Sequence, residues 1–163
     1  MATRIVQPIG DASGRAETIL LPEGSAQTFL KGAALTLSAG QVIQATASPA
    51  TVIGFALQDA SGVQATNVLV AVAQFGKLWE GNLVSSGVPA LETLAAATIG
   101  SLAGLVLIPG GAYTGIWALA HINKAGGVTT TAGARILRRL DDSGDGYGRV
   151  QFALRETFNA LEA

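Results

Sequence analysis

Short apolar segments separated by Gly, Pro and Ser constrain the fold of this chain more than any other feature. Segments 27–37 and 66–81, for example, alternate β-branched or aromatic residues with small or polar ones, which is the pattern of half-buried strands. Turn signals such as those at 38–40 and 109–111 fall between these segments. Turns at intervals of roughly 8 to 12 residues are typical of sandwiches and barrels. The sequence therefore predicts an all-β fold of small β-barrel or β-sandwich subdomains.

One segment competes with this pattern. Residues 89–104 begin with Pro and continue through a run of alanines, which favours a helix, although Thr98, Ile99 and Gly100 weaken its far end. We therefore expect at most one short helix. The most plausible seam between two halves is Gly87-Val88-Pro89. The predicted organisation is an extended N-terminal arm (1–25), a first β subdomain (26–87), and a second β subdomain with a C-terminal hairpin and tail (88–163).

The middle of the chain carries almost no charge. Charged residues make up 13% of the 163, against about 25% in a typical soluble domain, and the stretch from Gly32 to Ala134 contains only five of them. Large apolar surfaces usually mark contacts with other proteins. We expect the chain to lie against copies of itself or another protein. The alternative is a monomer whose uncharged surface stays polar through Thr, Ser, Gln and Asn.

Composition also argues against several classes of partner. The net charge is −1, so no basic field gathers nucleic acid or an anionic membrane, and the arginines of 135–155 are balanced by nearby acids. The most apolar run, 94–108, is shorter than the roughly 20 residues of a transmembrane helix. The N-terminus lacks the apolar core of a signal peptide, which predicts synthesis in the cytoplasm. We expect no nucleic-acid partner and no membrane.

Residues that carry catalysis are sparse. His121 is the only histidine and there is no cysteine, so a two-histidine or thiolate metal site cannot form within one chain. No GxSxG elbow and no phosphate-binding GxxxxGK[ST] loop is present. We therefore predict no enzyme activity, no cofactor and no metal.

The segment 135–154, RILRRLDDSGDGYGRVQFAL, allows two interpretations. Aligned from Asp141 it imitates the start of an EF-hand loop, but the twelfth position is Phe152 instead of a bidentate Glu, and neither flank has a helical pattern. The favoured interpretation is a β-hairpin whose Asp, Ser and Gly residues form a charged tip. A weak calcium contact stays the alternative.

The large aromatic residues also allow two interpretations. Trp79 and Trp117 either form a sugar-stacking platform, as on carbohydrate-binding β-sandwiches, or are buried in a core or a subunit interface. Both lie in apolar strand contexts, so burial is favoured. The candidate core or trimer-interface residues are Phe29, Phe55, Trp79 and Trp117.

Four segments in order resemble the capsid decoration, or cement, proteins of tailed bacteriophages. The first, 26–62, contains the pattern FLKGAALTLSAGQV followed by VIGFALQDASG. The second, 67–83, ends in the aromatic-Glu-Gly-Asn turn WEGN, and the third, 97–120, contains GSLAGLVL and GIW. The fourth is the terminal hairpin, 135–154. The resemblance covers about residues 26–154, and the tail after Phe152 departs from the abrupt end expected of the family.

This resemblance implies β-tulip-like subdomains and a structural role on a virion. It implies a protein that binds the outer surface of an assembled capsid, commonly as a homotrimer, with the major capsid protein and itself as partners. The N-terminal arm then supplies candidate contacts with the capsid or a neighbouring subunit: Arg4, Ile5, Val6, Ile9 and Arg15. The alternative function is a β-sandwich carbohydrate-binding or adhesion module on a virion or cell surface.

Overall fold

A computed structural model of the chain describes residues 7–10, 17–46, 49–74, 76–84, 99–108, 117–121, 133–142 and 148–155. These residues contain no helix, and hence none long and apolar enough to cross a membrane. The predicted all-β class is confirmed. The strands are β1 (Gln7–Gly10), β2 (Thr18–Pro22), β3 (Ala34–Ser38), β4 (Gln41–Gln44), β5 (Gly54–Ala56), β6 (Asn67–Val72), β7 (Leu78–Val84), β8 (Leu102–Leu107), β9 (Trp117–His121), β10 (Ala134–Arg139) and β11 (Arg149–Leu154).

The first sheet is a small five-stranded barrel. Its strands follow the order β2-β6-β5-β3-β4, and each neighbouring pair is antiparallel. The two end strands meet through one parallel bridge, in which Glu23 lies opposite Val42. The N–H of Gly24 donates to the carbonyl of Val42 at 2.8 Å, which secures this closure.

The hairpin between β3 and β4 explains why a predicted turn forms where it does. Ser38 pairs with Gln41, so the loop has two residues, Ala39 and Gly40. Their φ angles are 50° and 78°, which is the left-handed backbone of a type I′ turn. Such a turn matches the natural twist of the flanking strands, and Gly40 adopts it without steric cost.

The second sheet contains the remaining strands in the order β1-β7-β11-β10-β8-β9. Strands β7 and β9 also pair with each other in parallel, with Leu83 opposite Leu119. This pairing joins the two ends of the five-strand part β7-β11-β10-β8-β9. Strands β10 and β11 form the predicted antiparallel hairpin, with Ile136 opposite Phe152. The tip at 143–147 lies outside the described residues.

The sheets divide the chain at other places than the predicted subdomains. Strand β7, placed by sequence in the first subdomain, pairs in the second sheet. The predicted arm contains two strands: β1 pairs with β7, and β2 completes the first barrel through β6 and the Glu23 bridge. The apolar TILLP sequence of β2 explains its place in a sheet, because this segment can cover part of the barrel interior.

Residues 89–98 of the predicted helix lie outside the described part of the chain, whereas residues from Leu102 onward form β8. Their sequence, LAGLVL, is apolar on both faces, which suits a strand that is covered on both sides.

One hydrophobic core joins the two sheets. Phe55 of β5 and Trp79 of β7 belong to the same cluster, together with Leu35 of the first sheet and Phe152 of the second. A smaller cluster lies around β8 and β9 and consists of Val84, Val106, Ile108, Ala118 and Ala120.

Candidate functional site

Of the five candidate contact residues in the predicted arm, only Ile9 lies among the described residues. Arg4, Ile5, Val6 and Arg15 lie outside them. Ile9 lies in β1, where the register with β7 shifts between Pro8 and Gly10. The role of these five residues therefore stays a prediction.

The four candidate aromatic residues lie in the core. Phe55 and Trp79 are 0% exposed, and Phe29 and Trp117 are 2% exposed. Neither tryptophan offers a ring face to solvent, so a sugar-stacking platform built from these two residues is not favoured.

The segments that carry the first part of the family resemblance lie side by side in the first barrel. The N–H of Lys31 donates to Oδ1 of Asp59 at 2.7 Å, and the N–H of Ala60 donates to the carbonyl of Phe29 at 2.8 Å. The N–H of Gly32 donates to the carbonyl of Ala56 at 2.8 Å. The FLKG and ALQDASG patterns are therefore halves of one hydrogen-bonded unit.

A buried carboxylate, which sequence reasoning did not single out, fixes the loop of this unit. Glu23 is 0% exposed. Its Oε2 accepts from the backbone N–H of Ser61 at 2.8 Å and from Oγ of Ser61 at 2.9 Å, and its Oε1 accepts from the N–H of Gly62 at 2.8 Å. Its own backbone pairs with Thr66 and Ala65. A buried charge is tolerated when hydrogen bonds replace its hydration, so Glu23 anchors the end of β2 to the loop at 61–66.

An ion-pair cluster lies at the β10–β11 hairpin, the candidate calcium loop. The guanidinium of Arg149 donates to both oxygens of Asp141, with a shortest distance of 2.6 Å, and its Nη1 lies 3.0 Å from Oε1 of Glu80. The hydrogen bonds that Arg149 donates to Asp141, and then to Glu80, raise its pKa above the ordinary value. Asp141, the first position of the EF-hand alignment, is therefore a partner of an arginine.

Metal-binding residues do not cluster in the described part of the chain. Within it, no group of three or more His, Asp or Glu residues is arranged to hold a metal ion.

An apolar edge is the feature most open to partners. We define the β2 edge as Ile19, Leu20 and Leu37, which are 42%, 59% and 40% exposed. Among the described residues, the Glu23 bridge is the one backbone pairing on the side of β2 that faces β4. Ile19 lies opposite the buried Val70 and Leu37 lies opposite the buried Val42, so two side chains directed toward the barrel interior are still solvent-exposed.

The β2 edge was not predicted because the segment before it is polar and broken by Gly and Ser, which predicts an extended arm. The run of three apolar residues at 19–21 was the available signal. The role of Glu23 was harder to predict from the sequence, because its hydrogen-bond partners lie 38 and 39 positions away along the chain.

Comparison of the chain with protein-family models, with curated proteins and with solved structures found no match. The resemblance to decoration proteins therefore stays a prediction.

Proposed function

We propose that this chain is a structural, non-enzymatic virion protein that binds the outer surface of an assembled phage capsid as a homotrimer. In this role it bridges capsid subunits and stabilises the head. Its partners are the major capsid protein and two further copies of itself; it is made in the host cytoplasm and resides on the capsid surface. The ordered resemblance over residues 26–154 supports this role, as does the low charge of the middle of the chain.

The observation that carries the proposal is the exposed β2 edge. A sheet edge with exposed apolar side chains is prone to pair with another chain, and soluble monomers usually protect such edges with charge, Pro or a bulge. No charged residue lies between Thr18 and Leu21, and the proline of the strand, Pro22, is its last residue. We assign this edge to the contact between copies of the chain, where association covers Ile19, Leu20 and Leu37.

The same composition suits binding at several points at once. Uncharged Ala, Gly and Thr surfaces allow close approach but give modest energy per contact. A trimer that engages three equivalent sites makes the second and third contacts intramolecular, so weak single contacts sum to a long-lived complex.

The self-association part is tested with Leu20→Lys, which adds a charge to the β2 edge. Light scattering of the wild type should give the mass of three 16.4 kDa chains, and Leu20→Lys should give one chain with little change in the circular dichroism spectrum. Ile99→Lys is the matched control, because Ile99 is similarly exposed at 49% but lies in the turn before β8, away from the β2 edge. A wild type that is monomeric over a hundredfold range of concentration would reject the trimer.

The capsid part is tested separately by co-sedimentation. Wild-type protein should bind expanded heads of the phage that encodes it to saturation, bind unexpanded precursor heads weakly or not at all, and protect expanded heads against bursting on heating. A trimer that sediments with neither form of head contradicts a decoration role while leaving self-association intact.

A further inference from the structure

Strand β10 contains a β-bulge that changes which arginine faces the protein interior. Ile136 lies opposite Phe152, but the next paired residue is Arg138, opposite Gln151, so Leu137 is an extra residue. Simple alternation would place Arg138 on the face of Ile136. The bulge instead places Arg139 opposite the buried Val150 and thus on the inward face. Bulges often re-aim a side chain in this way next to functional sites.

The inward guanidinium has an unsatisfied nitrogen. Nη1 of Arg139 is buried, and none of the described residues accepts a hydrogen bond from it. The indole nitrogens of Trp79 and Trp117 are likewise buried without an acceptor among the described residues. An indole can only donate a hydrogen bond, so neither tryptophan can serve Arg139. Burying a donor without an acceptor is costly, and more so when the group is charged.

The two carboxylates that bind Arg149, those of Glu80 and Asp141, lie on the outward face of the sheet. Glu80 lies opposite Gln151, on the same outward face as Arg138. Glu80 and Asp141 both accept from Arg149 there. The inward side chains described for β7, β8, β10 and β11 are otherwise apolar or lack acceptors, including Leu83, Leu105, Ile136, Val150 and Phe152. Among the described residues, none accepts a hydrogen bond from Nη1 of Arg139.

We propose that Arg139 binds a small oxyanion, such as phosphate, sulfate or a carboxylate, at the inward face of the second sheet. The planar fork of a guanidinium matches two oxygens of such an anion. The bulge at Leu137 aims the fork. Arg139 as a whole is only partly buried, so an anion can approach it from solvent. This site goes beyond the proposed function and does not depend on it.

The proposal is tested by titrating the full chain with sodium phosphate, sodium sulfate or sodium acetate at constant ionic strength set with sodium chloride. Thermal midpoints and the fluorescence of the two tryptophans report binding. Wild-type protein should show a saturable rise in midpoint with at least one of the three anions. Saturation with phosphate or sulfate identifies a tetrahedral anion, and saturation with acetate alone identifies a carboxylate.

Two variants with the same change in charge distinguish a specific anion site at Arg139 from a general effect of salt on the charge of the protein. Arg139→Met should weaken anion binding at least tenfold, and without anion it should be as stable as the wild type or more so, because a buried unsatisfied charge is removed. Arg138→Met, on the outward face, should bind like the wild type. Equal losses in both variants, or no saturable response of the wild type to any of the anions, overturns the proposal.

A measurement on the wild type covers the case in which Arg139→Met fails to fold. The Nε–Hε resonance of Arg139 should shift during the anion titration in an ¹⁵N spectrum, whereas that of Arg138 should not. An unperturbed Arg139 resonance at saturating anion rejects the site.

Discussion

The ring of Phe55 lies 4.6 Å from the ring of Trp79, with the two planes inclined at 55°. Phe55 belongs to the first sheet and Trp79 to the second, and both are fully buried. A tilted aromatic pair of this kind contributes about 0.5 to 1.5 kcal/mol beyond the burial of its area. This contact therefore helps to make the two sheets one cooperative unit.

Removing either ring should destabilise the whole chain. Trp79→Ala and Phe55→Ala should each lower the free energy of unfolding by about 3 to 5 kcal/mol, as measured by urea denaturation. The double variant should lose about 1 kcal/mol less than the sum, because the two rings contact each other. Leu137→Ala, at a 41% exposed position, is the control and should change stability by about 0.5 kcal/mol or less. A Trp79→Ala protein with wild-type stability would contradict the shared core.

The buried carboxylate gives a second test. Glu23→Gln should lower stability by about 2 to 3 kcal/mol, because three donors point at two carboxylate oxygens and the amide nitrogen would face one of these donors. Asp59→Asn is the matched control: Asp59 is exposed and accepts one bond, from Lys31, which an amide oxygen can keep, so about 0.5 kcal/mol or less is expected. Hydrogen exchange of the Gly62 amide should accelerate in Glu23→Gln alone. Equal losses of stability in the two variants would show that the buried carboxylate of Glu23 has no special role.

Glycine is required at one position in β5 by close packing. A Cβ atom on Gly54 would overlap the carbonyl oxygen of Ala71 and lie 2.9 Å from Cγ1 of Val70. Gly54→Ala should therefore cost about 2 to 3 kcal/mol in thermal or urea unfolding. Gly100→Ala provides the comparison, because Gly100 has a φ of +83° but nothing within 4 Å of its added Cβ, so only the left-handed backbone is penalised, by about 1 kcal/mol. The prediction fails if Gly54→Ala is the milder change.

The β3–β4 turn can be improved. Ala39 occupies the first left-handed position of the type I′ turn, with a φ of 50°, where Asn is preferred. Ala39→Asn should raise the free energy of unfolding by roughly 0.5 to 1 kcal/mol, whereas Ala39→Val should lower it, because a β-branched side chain resists this backbone. Paired urea titrations measure both. A stabilising valine would mean that the turn is not of this type.

Local patterns were sufficient to predict several elements. The small residues at 38–40 predicted the turn after β3, and the hairpin of β10 with β11 followed from two apolar strands around a polar loop. These elements depend on residues that are close together in sequence, so the local sequence pattern is sufficient to predict them. The burial of Trp79 and Trp117 was favoured for the same reason. The predicted strand 27–37 was too long, because β3 begins only at Ala34 and residues 27–33 form irregular structure and a turn.

What local patterns could not supply was pairing across long distances. Nothing near β1 indicates that Gln7 lies opposite Glu80, and nothing near Glu23 indicates that its carboxylate meets Ser61. The bulge at Leu137 is a further case, because strict alternation assigns Arg138 to the interior and one extra residue reverses that assignment. The candidate anion site depends on this reversal and was therefore not visible in the sequence.

The placement of β1 has a consequence for synthesis on the ribosome. The first barrel has all of its strands once Val72 has been made, but Gln7–Gly10 pairs with Leu78–Val84, which is translated later. Strand β1 therefore leaves the ribosome before its partner β7, and the two cannot pair while the barrel forms. A nascent chain halted when Val72, but not β7, has left the ribosome should thus expose Gln7–Gly10 to protease while already protecting β2 to β6.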